Sequence, residues 1–301
     1  MKASLFTYVR LLSALCLVSV LGACDIIESP YFDPEYIAQL PADEQCLFEA
    51  NKTVAFPEGQ PIVKKVLVEE MTGHKCGNCP EATEVAYQLY SETFQDQAVF
   101  LGIHAGPLAR FTAAASKYFT NFTTSEGDEV YTTLNPGGVV PFVMIDRSIK
   151  NSSSGSWPTA MAERVKEAPV AGIRVFNCYT LDSLSAGTVI DVKFLEDASA
   201  AAHIAVWLVE DDVIDWQKDY RAPGGKVDLE DYSHHQVLRK AINGAWGEPI
   251  NADGVSAGDT YQFNYTVELE EGFDPAHCKV IAFIYDRDTE EVGQVEQQSL
   301  L

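Results

Sequence analysis

Residues 66–80 read VLVEEMTGHKCGNCP, an apolar run that a short polar turn joins to a Cys-x-x-Cys pair. The apolar run predicts a strand, and the residues from Pro80 onward predict a helix. Two cysteines so spaced at a helix start lie within disulfide reach, and the unpaired backbone N–H groups of that helix favour a thiolate. The spacing therefore predicts a thiol–disulfide site in which Cys76 attacks and Cys79 resolves.

The segments around this pair alternate between strand and helix patterns, which favours an α/β layer. Strands are predicted at Val63–Met71, Ala98–Ile103 and Val139–Ile145, and helices at Pro80–Thr93, Phe111–Phe119, Gly127–Thr133 and Pro158–Lys166. Pro141 stands where thioredoxin-like domains carry a cis-proline that packs against the disulfide and presents backbone to the substrate chain. An ordinary proline at a strand start is the alternative. The order of these parts predicts a thioredoxin-like fold.

Charged residues near the cysteines are candidates for proton transfer. Glu70 lies six residues before Cys76, at the spacing of the buried acid that assists proton transfer in thioredoxins. Glu70 is therefore a candidate catalytic residue, and a solvated carboxylate at the strand end, beside Glu69, is the alternative. His74 and Lys75 could stabilise the Cys76 thiolate by their charge or serve only as turn residues.

The second half of the chain shows the alternation of period two that is typical of β-strands. From Pro169 onward, short apolar runs are divided by Gly, Asp and Pro turns, a spacing that suggests about seven strands in a β-sandwich. We expect this Ig-like, all-β sandwich domain at residues 169–301, after an α/β thioredoxin-like domain at residues 61–168. Residues 24–60, rich in Pro, Asp and Glu, are expected to form a tether and lead-in.

Residues 1–23 have the pattern of a lipoprotein signal peptide. Lys2 and Arg10 give a basic start, an apolar segment follows, and Leu21-Gly22-Ala23-Cys24 resembles a bacterial lipobox. Cys24 would then be lipidated and become the first mature residue, whereas an ordinary signal peptidase site is the alternative. Lipidation predicts a body attached to a membrane by its lipid anchor.

The composition argues against several classes of partner. The formal net charge is −23 at pH 7, and so acidic a body repels the phosphates of nucleic acids.

No cofactor is expected. Zinc or copper held by a set of histidines and cysteines is the chemical alternative at the Cys-x-x-Cys site, with His74, Cys76, Cys79 and His104 as the ligands. A structural zinc site usually has a second close ligand pair, and because the sequence lacks one, no metal site is expected.

The remaining cysteines suggest a second disulfide. Cys178 and Cys278 both lie in strand-like segments, and we expect them to form a structural bridge. Cys46 would then be spare.

Three groups of segments occur in a characteristic order. They are Val68–His74 leading into Cys76–Pro80, His235–Arg239 with Gly244–Pro249, and Cys278–Phe283 with Gln294–Glu296. This set resembles the twenty-eight-kilodalton outer-membrane protein family of Bacteroidetes lipoproteins. The resemblance implies an outer-membrane lipoprotein, periplasmic or surface-exposed, with a thioredoxin-like part and a β-rich C-terminal part. The chain departs from ordinary thioredoxins because no Trp precedes Cys76 and Asn78 replaces the usual Pro.

The sequence leaves two functions open. In the first, a lipid-anchored thiol–disulfide oxidoreductase acts on thiols and disulfides of envelope or surface proteins, with Pro141 docking the partner strand. In the second, a surface adhesin or binding lipoprotein recognises a ligand through its β-sandwich, and the Cys76–Cys79 bond is only structural.

Overall fold

The computed structural model describes Phe56 and residues 61–111, 116–135, 137–180, 184–225 and 227–301. The predicted signal peptide, Cys24, Cys46 and most of the predicted tether lie outside these residues. The helices are α1 (Cys79–Gln88), which a π-helical turn at Leu89–Thr93 extends, α2 (Ser125–Leu134) and α3 (Trp157–Arg164). Within the described ranges, no helix is long and apolar enough to cross a membrane.

In chain order, the strands are β1 (Val66–Thr72), β2 (Ala98–His104), β3 (Phe142–Ile145), β4 (Ile149–Asn151), β5 (Ala171–Thr180), β6 (Ser185–Phe194), β7 (Ala202–Glu210), β8 (Val213–Lys218), β9 (Asp228–His234), β10 (Val237–Ala241), β11 (Glu248–Pro249), β12 (Thr260–Glu268), β13 (Cys278–Asp286) and β14 (Val292–Ser299). The predicted helix Phe111–Phe119 is not helical at residues 111 and 116–119, the part of it that the structure describes.

Strands β1 and β2 form the parallel centre of the N-terminal half, and every residue of both is buried. Strand β3 runs antiparallel to β1, and β4 runs antiparallel to β3. Helices α1 and α3 pack on one face of these strands, and α2 packs on the other. The strand sequences are apolar runs rather than alternating patterns because both faces of the sheet are covered.

The main sheet continues across the predicted boundary between residues 168 and 169. Its nine strands have the order β14-β13-β7-β10-β2-β1-β3-β4, with β11 paired to β7. The two halves meet where the Gly102 N–H donates to the Gln236 carbonyl oxygen at 2.9 Å. A Cβ atom on Gly102 would lie 3.0 Å from the His235 carbonyl oxygen, so the glycine permits this close approach. The boundary therefore does not separate two sheets.

A second layer covers the C-terminal strands of the main sheet. Strands β12, β6 and β5 form an antiparallel sheet, and side chains such as Ile190 and Val192 of β6 share a buried cluster with Ile204 and Val206 of β7. A hydrophobic core thus lies between two facing sheets, which is the packing of a β-sandwich. The β-rich character predicted for the second half is confirmed, although one of its two layers also contains β1 to β4.

Strands β8 and β9 form a hairpin apart from both sheets. They pair from Val213–His234 to Lys218–Asp228, with an irregularity between Asp215 and Gln217. The hairpin reaches back to the N-terminal half, where the Lys218 N–H donates to the His74 carbonyl oxygen at 2.8 Å. This contact places residues of the second half next to the Cys-x-x-Cys motif.

Candidate functional site

Cys76 and Cys79 form a disulfide, with their Cα atoms 5.4 Å apart. Helix α1 begins at Cys79, after Asn78 as the N-terminal cap, and Pro80 is accommodated in its first turn. Cys76 therefore lies just before the helix, and Cys79 is its first residue. The Cys79 N–H donates to the Cys76 carbonyl oxygen at 3.2 Å, which closes the turn between the two cysteines.

Both cysteines are buried, with 3% of Cys76 and 1% of Cys79 exposed. Part of the cover is the β8–β9 hairpin, because the side-chain amide of the buried residue Gln217 donates to the Cys76 carbonyl oxygen at 3.0 Å. Next to it, Tyr220 and Arg221 lie at the molecular surface. The hairpin is therefore a thin layer between solvent and the loop that carries the disulfide.

Glu70 is completely buried on β1, so the solvated alternative is wrong. The Thr83 hydroxyl of α1 lies 2.9 Å from Glu70 Oε1, and among the described residues Oε2 has no hydrogen-bond partner. Burial raises the pKa of the Glu70 carboxyl from 4.5 to about 8, which keeps it mostly protonated at neutral pH. The same Thr83 hydroxyl lies 3.0 Å from the Cys79 carbonyl oxygen, so one side chain connects the buried acid to the second cysteine.

Glu69, the neighbour of Glu70, points to the opposite face of β1 because side chains alternate along a strand. Both carboxylate oxygens of Glu69 accept hydrogen bonds from the Arg147 guanidinium, at 2.7 and 2.8 Å. The guanidinium also lies 5.0–5.8 Å from the ring centres of three aromatic residues, namely Trp207, Phe283 and Tyr285. This buried ion pair was not predicted, because the sequence does not show which arginine faces Glu69.

The peptide bond between Val140 and Pro141 is cis, as expected for this position. Strand β3 begins at the next residue, where Phe142 pairs with Met71 of β1. Pro141 therefore lies at the end of β1 from which the chain continues toward Cys76. The docking role expected for Pro141 remains a prediction.

Three buried histidines surround Phe122 beside the loop that carries the disulfide. The ring centre of Phe122 lies 5.7 Å from that of His74, 5.0 Å from that of His104 and 4.8 Å from that of His234. Burial lowers the pKa of His74 and of His234 from 6.5 to about 4, and it also lowers the pKa of His104 well below 6.5. His74 is therefore neutral at pH 7 and supplies no positive charge to a thiolate. The sequence analysis considered His74 and His104 together but did not predict that His234 and Phe122 join them, because these residues come from distant segments.

The thiols considered as metal ligands are engaged in the disulfide, so they do not offer thiolates to zinc or copper in this state. Elsewhere, ligand atoms of Asp211, Asp212 and His235 lie within 4.8 Å of one another. Asp211 already accepts hydrogen bonds from Gln236 and Lys279 there. Burial acts to raise its pKa, but the contact with His235 and the charge of Lys279 hold the pKa at about 2.

The predicted bridge between Cys178 and Cys278 is wrong. Cys278 is a free, buried thiol, whereas Cys178 is disulfide-bonded to another residue. Cys278 begins β13 in the main sheet, and Cys178 lies on β5 in the second sheet. A strand-like context placed both cysteines in the β-rich half, but it could not show that they lie on different sheets.

Comparison with known proteins identifies related chains. The family model described as "Outer membrane protein Omp28" matches residues 128–300, more than half of the chain. HBP35 of Porphyromonas gingivalis is 13% identical, with a TM-score of 0.62 over 80% of this chain and 76% of that one, so the two share a fold. A domain of the outer membrane lipoprotein Omp28 from Porphyromonas gingivalis is 25% identical over 44% of this chain and 88% of that chain, with a TM-score of 0.29. No curated protein matches.

Proposed function

The chain belongs to the Omp28 family and is located in the outer membrane, and we propose that it is a lipoprotein anchored through Cys24 that exchanges disulfides with envelope or surface proteins. In this proposal residues 61–168 are a thioredoxin-like unit, Cys76 and Cys79 are the redox pair, and Pro141 contacts the partner.

The observation that carries the proposal is the buried Glu70 carboxyl, which the Thr83 hydroxyl connects to the Cys79 carbonyl oxygen. A carboxyl group without a partner for one oxygen costs stability wherever it is buried. A purely structural disulfide gains nothing from such a neighbour, whereas thiol exchange requires a group that moves a proton next to the second cysteine. A pKa of about 8 suits that role, because both protonation states are accessible near neutral pH.

The exchange proceeds in two steps. The Cys76 thiolate attacks a partner disulfide, so that a bond forms between Cys76 and one partner sulfur while the other sulfur leaves and takes up a proton. Cys79 then gives its thiol proton to ionised Glu70 and attacks Cys76. This step forms the Cys76–Cys79 bond seen in the structure and releases the second partner sulfur, which takes up a proton. The partner gains the two electrons that the dithiol loses, and the reverse sequence oxidises a partner dithiol.

A trapping experiment tests this proposal. In cells, a Cys79→Ser variant retains the attacking thiol but cannot resolve the intermediate, so we expect it to accumulate mixed disulfides with other proteins. The matched control is Cys76→Ser, which lacks the attacking sulfur and should trap far fewer partners. Both variants are compared on non-reducing gels after the thiols are blocked with acid and alkylating agent. If neither variant forms a reducible adduct, the exchange function is excluded.

The burial of both cysteines favours a second function. A disulfide without access to solvent would only stabilise the fold, and the β-rich half would then bind a surface ligand as an adhesin does. Deleting residues 170–301 would not test this binding cleanly, because it would also remove strands of the main sheet that contains β1 to β4. Substitutions of exposed side chains on β5 and β12 are therefore the better test. Exposed Phe176 of β5 is one such residue, and attachment that is lost in Phe176→Ser while mixed disulfides persist would assign binding to this sheet.

A further inference from the structure

The cysteine loop, defined as Gly73–Asn78, is covered by a short segment of the β8–β9 hairpin, formed by the end of β8 and the start of the connection to β9. We call this segment, Gln217–Arg221, the strap. Its Lys218 N–H donates to the His74 carbonyl oxygen at 2.8 Å, and its Tyr220 N–H donates to the Gly77 carbonyl oxygen at 3.0 Å. The two backbone donors are two positions apart, which is the spacing at which an extended chain presents its N–H groups to one side.

Side chains of the strap complete the cover. The Gln217 amide donates to the Cys76 carbonyl oxygen at 3.0 Å, and the Tyr220 ring lies directly against Gly77. A Cβ atom on Gly77 would approach that ring to 2.6 Å, so the contact requires glycine at this position. The strap thus lies on the backbone of the redox motif itself.

The outer end of the strap is held at the surface rather than in the core. Arg221 makes two hydrogen bonds to Glu84 of α1, at 2.8 and 2.9 Å, and both side chains are partly exposed. Tyr220 is 62% exposed. Exposed ion pairs contribute little to stability, so this attachment can break without unfolding the main sheet.

We propose that the strap occupies the place where an extended segment of a partner protein docks on the cysteine loop, and that exchange requires the partner to displace it. The partner is a polypeptide with a free, extended edge near its disulfide or thiol, because the bonds to be replaced are donated by backbone N–H groups. This inference rests on the proposed exchange function and names the docking surface for it.

Access to the disulfide is measured directly on the purified full-length protein. The Cys76–Cys79 bond is reduced with glutathione, and the new thiols are counted by mass spectrometry after alkylation. Glu84→Gln removes the surface ion pair and should raise the reduction rate about two- to fivefold. Tyr220→Ala removes the contact on Gly77 and should raise the rate about tenfold, because the rate follows the population of the open form.

Glu163→Gln is the matched control for Glu84→Gln. Glu163 makes a similar exposed ion pair with Lys166, far from the strap in sequence and outside its contacts, so its loss should leave the reduction rate unchanged. Circular dichroism at the reaction temperature establishes that each variant is folded. Equal reduction rates in the folded wild-type, Glu84→Gln and Tyr220→Ala proteins would overturn the proposal.

A synthetic peptide tests whether the uncovered surface accepts an extended chain. A peptide with the sequence of residues 213–222 should slow the reduction of Tyr220→Ala, whereas a scrambled peptide should have no effect. If neither peptide changes the rate, the docking surface is excluded. The reduction assay and the trapping experiment can fail separately. Faster reduction of the variants without trapped partners would reject the exchange function, and trapped partners without faster reduction would reject the proposal that the strap covers the docking surface.

Discussion

Glu70 on β1 and Thr83 on α1 are joined by a hydrogen bond of 2.9 Å that connects a fully buried carboxyl to the helix beginning at Cys79. The Thr83 hydroxyl has one proton, and it also contacts the Cys79 carbonyl oxygen. When the hydroxyl donates to that carbonyl, the neutral Glu70 carboxyl can donate to Thr83 in turn. Burial raises the pKa of Glu70 although the Thr83 contact acts to lower it, and the raised pKa makes the stability of the protein depend on pH.

Glu70→Gln should make the oxidised protein more stable relative to the wild type as the pH rises. In the wild type, the unfolded carboxyl ionises near 4.5 and the folded one near 8, so the folded state binds more protons between these values. The free energy of unfolding therefore falls over this window, by at most about 4–5 kcal/mol, and glutamine removes that loss. Urea unfolding at about pH 5 and about pH 8 measures the difference. Exposed Glu81 provides the control, since Glu81→Gln should change little between the two pH values.

The ionisation of His234 should lower the stability of the protein as the pH falls, whereas that of Glu70 lowers it as the pH rises. Burial lowers its pKa to about 4, so the unfolded state binds a proton between 6.5 and 4 while the folded state does not. The free energy of unfolding then falls on acidification through this window. His234→Phe, which keeps an aromatic ring beside Phe122, should reduce that fall. The measurement is the midpoint of urea unfolding at about pH 7 and about pH 5. The control is His277→Gln, at a more exposed histidine, which should leave the change in midpoint between the two pH values as in the wild type.

The local features of the site were predictable and the distant ones were not. The Cys-x-x-Cys spacing and the apolar run before it predict the disulfide, β1 and α1, because these depend on neighbouring residues. The covering of Cys76 by Gln217 depends on a contact between residues 141 positions apart, which no local pattern encodes. The same holds for the continuous sheet, where the pairing of Gly102 with Val237 joins segments that periodicity alone assigned to separate domains.

Removing one partner of the Glu69–Arg147 ion pair should lower the free energy of unfolding much more than replacing both partners together. Glu69→Met leaves the Arg147 guanidinium buried without its counter-ion and should lower the free energy of unfolding by about 3–5 kcal/mol. In the double variant Glu69→Met/Arg147→Met, a large part of that loss should return, because both charges are gone from the interior. A double-mutant cycle by urea unfolding yields the coupling energy. Losses that simply add would show that the ion pair has no energetic coupling.

Cys278 should resist alkylation in the native protein and react only after unfolding. Its thiol is completely buried at the start of β13, and burial raises its pKa to about 12, so almost no thiolate is present near neutral pH. Iodoacetamide added without reductant should therefore label the peptide containing Cys278 in denaturant but not in buffer. Cys278→Ala, in which that peptide carries no label under either condition, confirms the assignment. Rapid labelling in buffer would mean that β13 separates from β7 in the native state. If Cys278 is labelled slowly, the label that native protein takes up after reduction does not come from Cys278. The thiols of the Cys76–Cys79 pair can then be counted separately from that of Cys278 in the reduction assays.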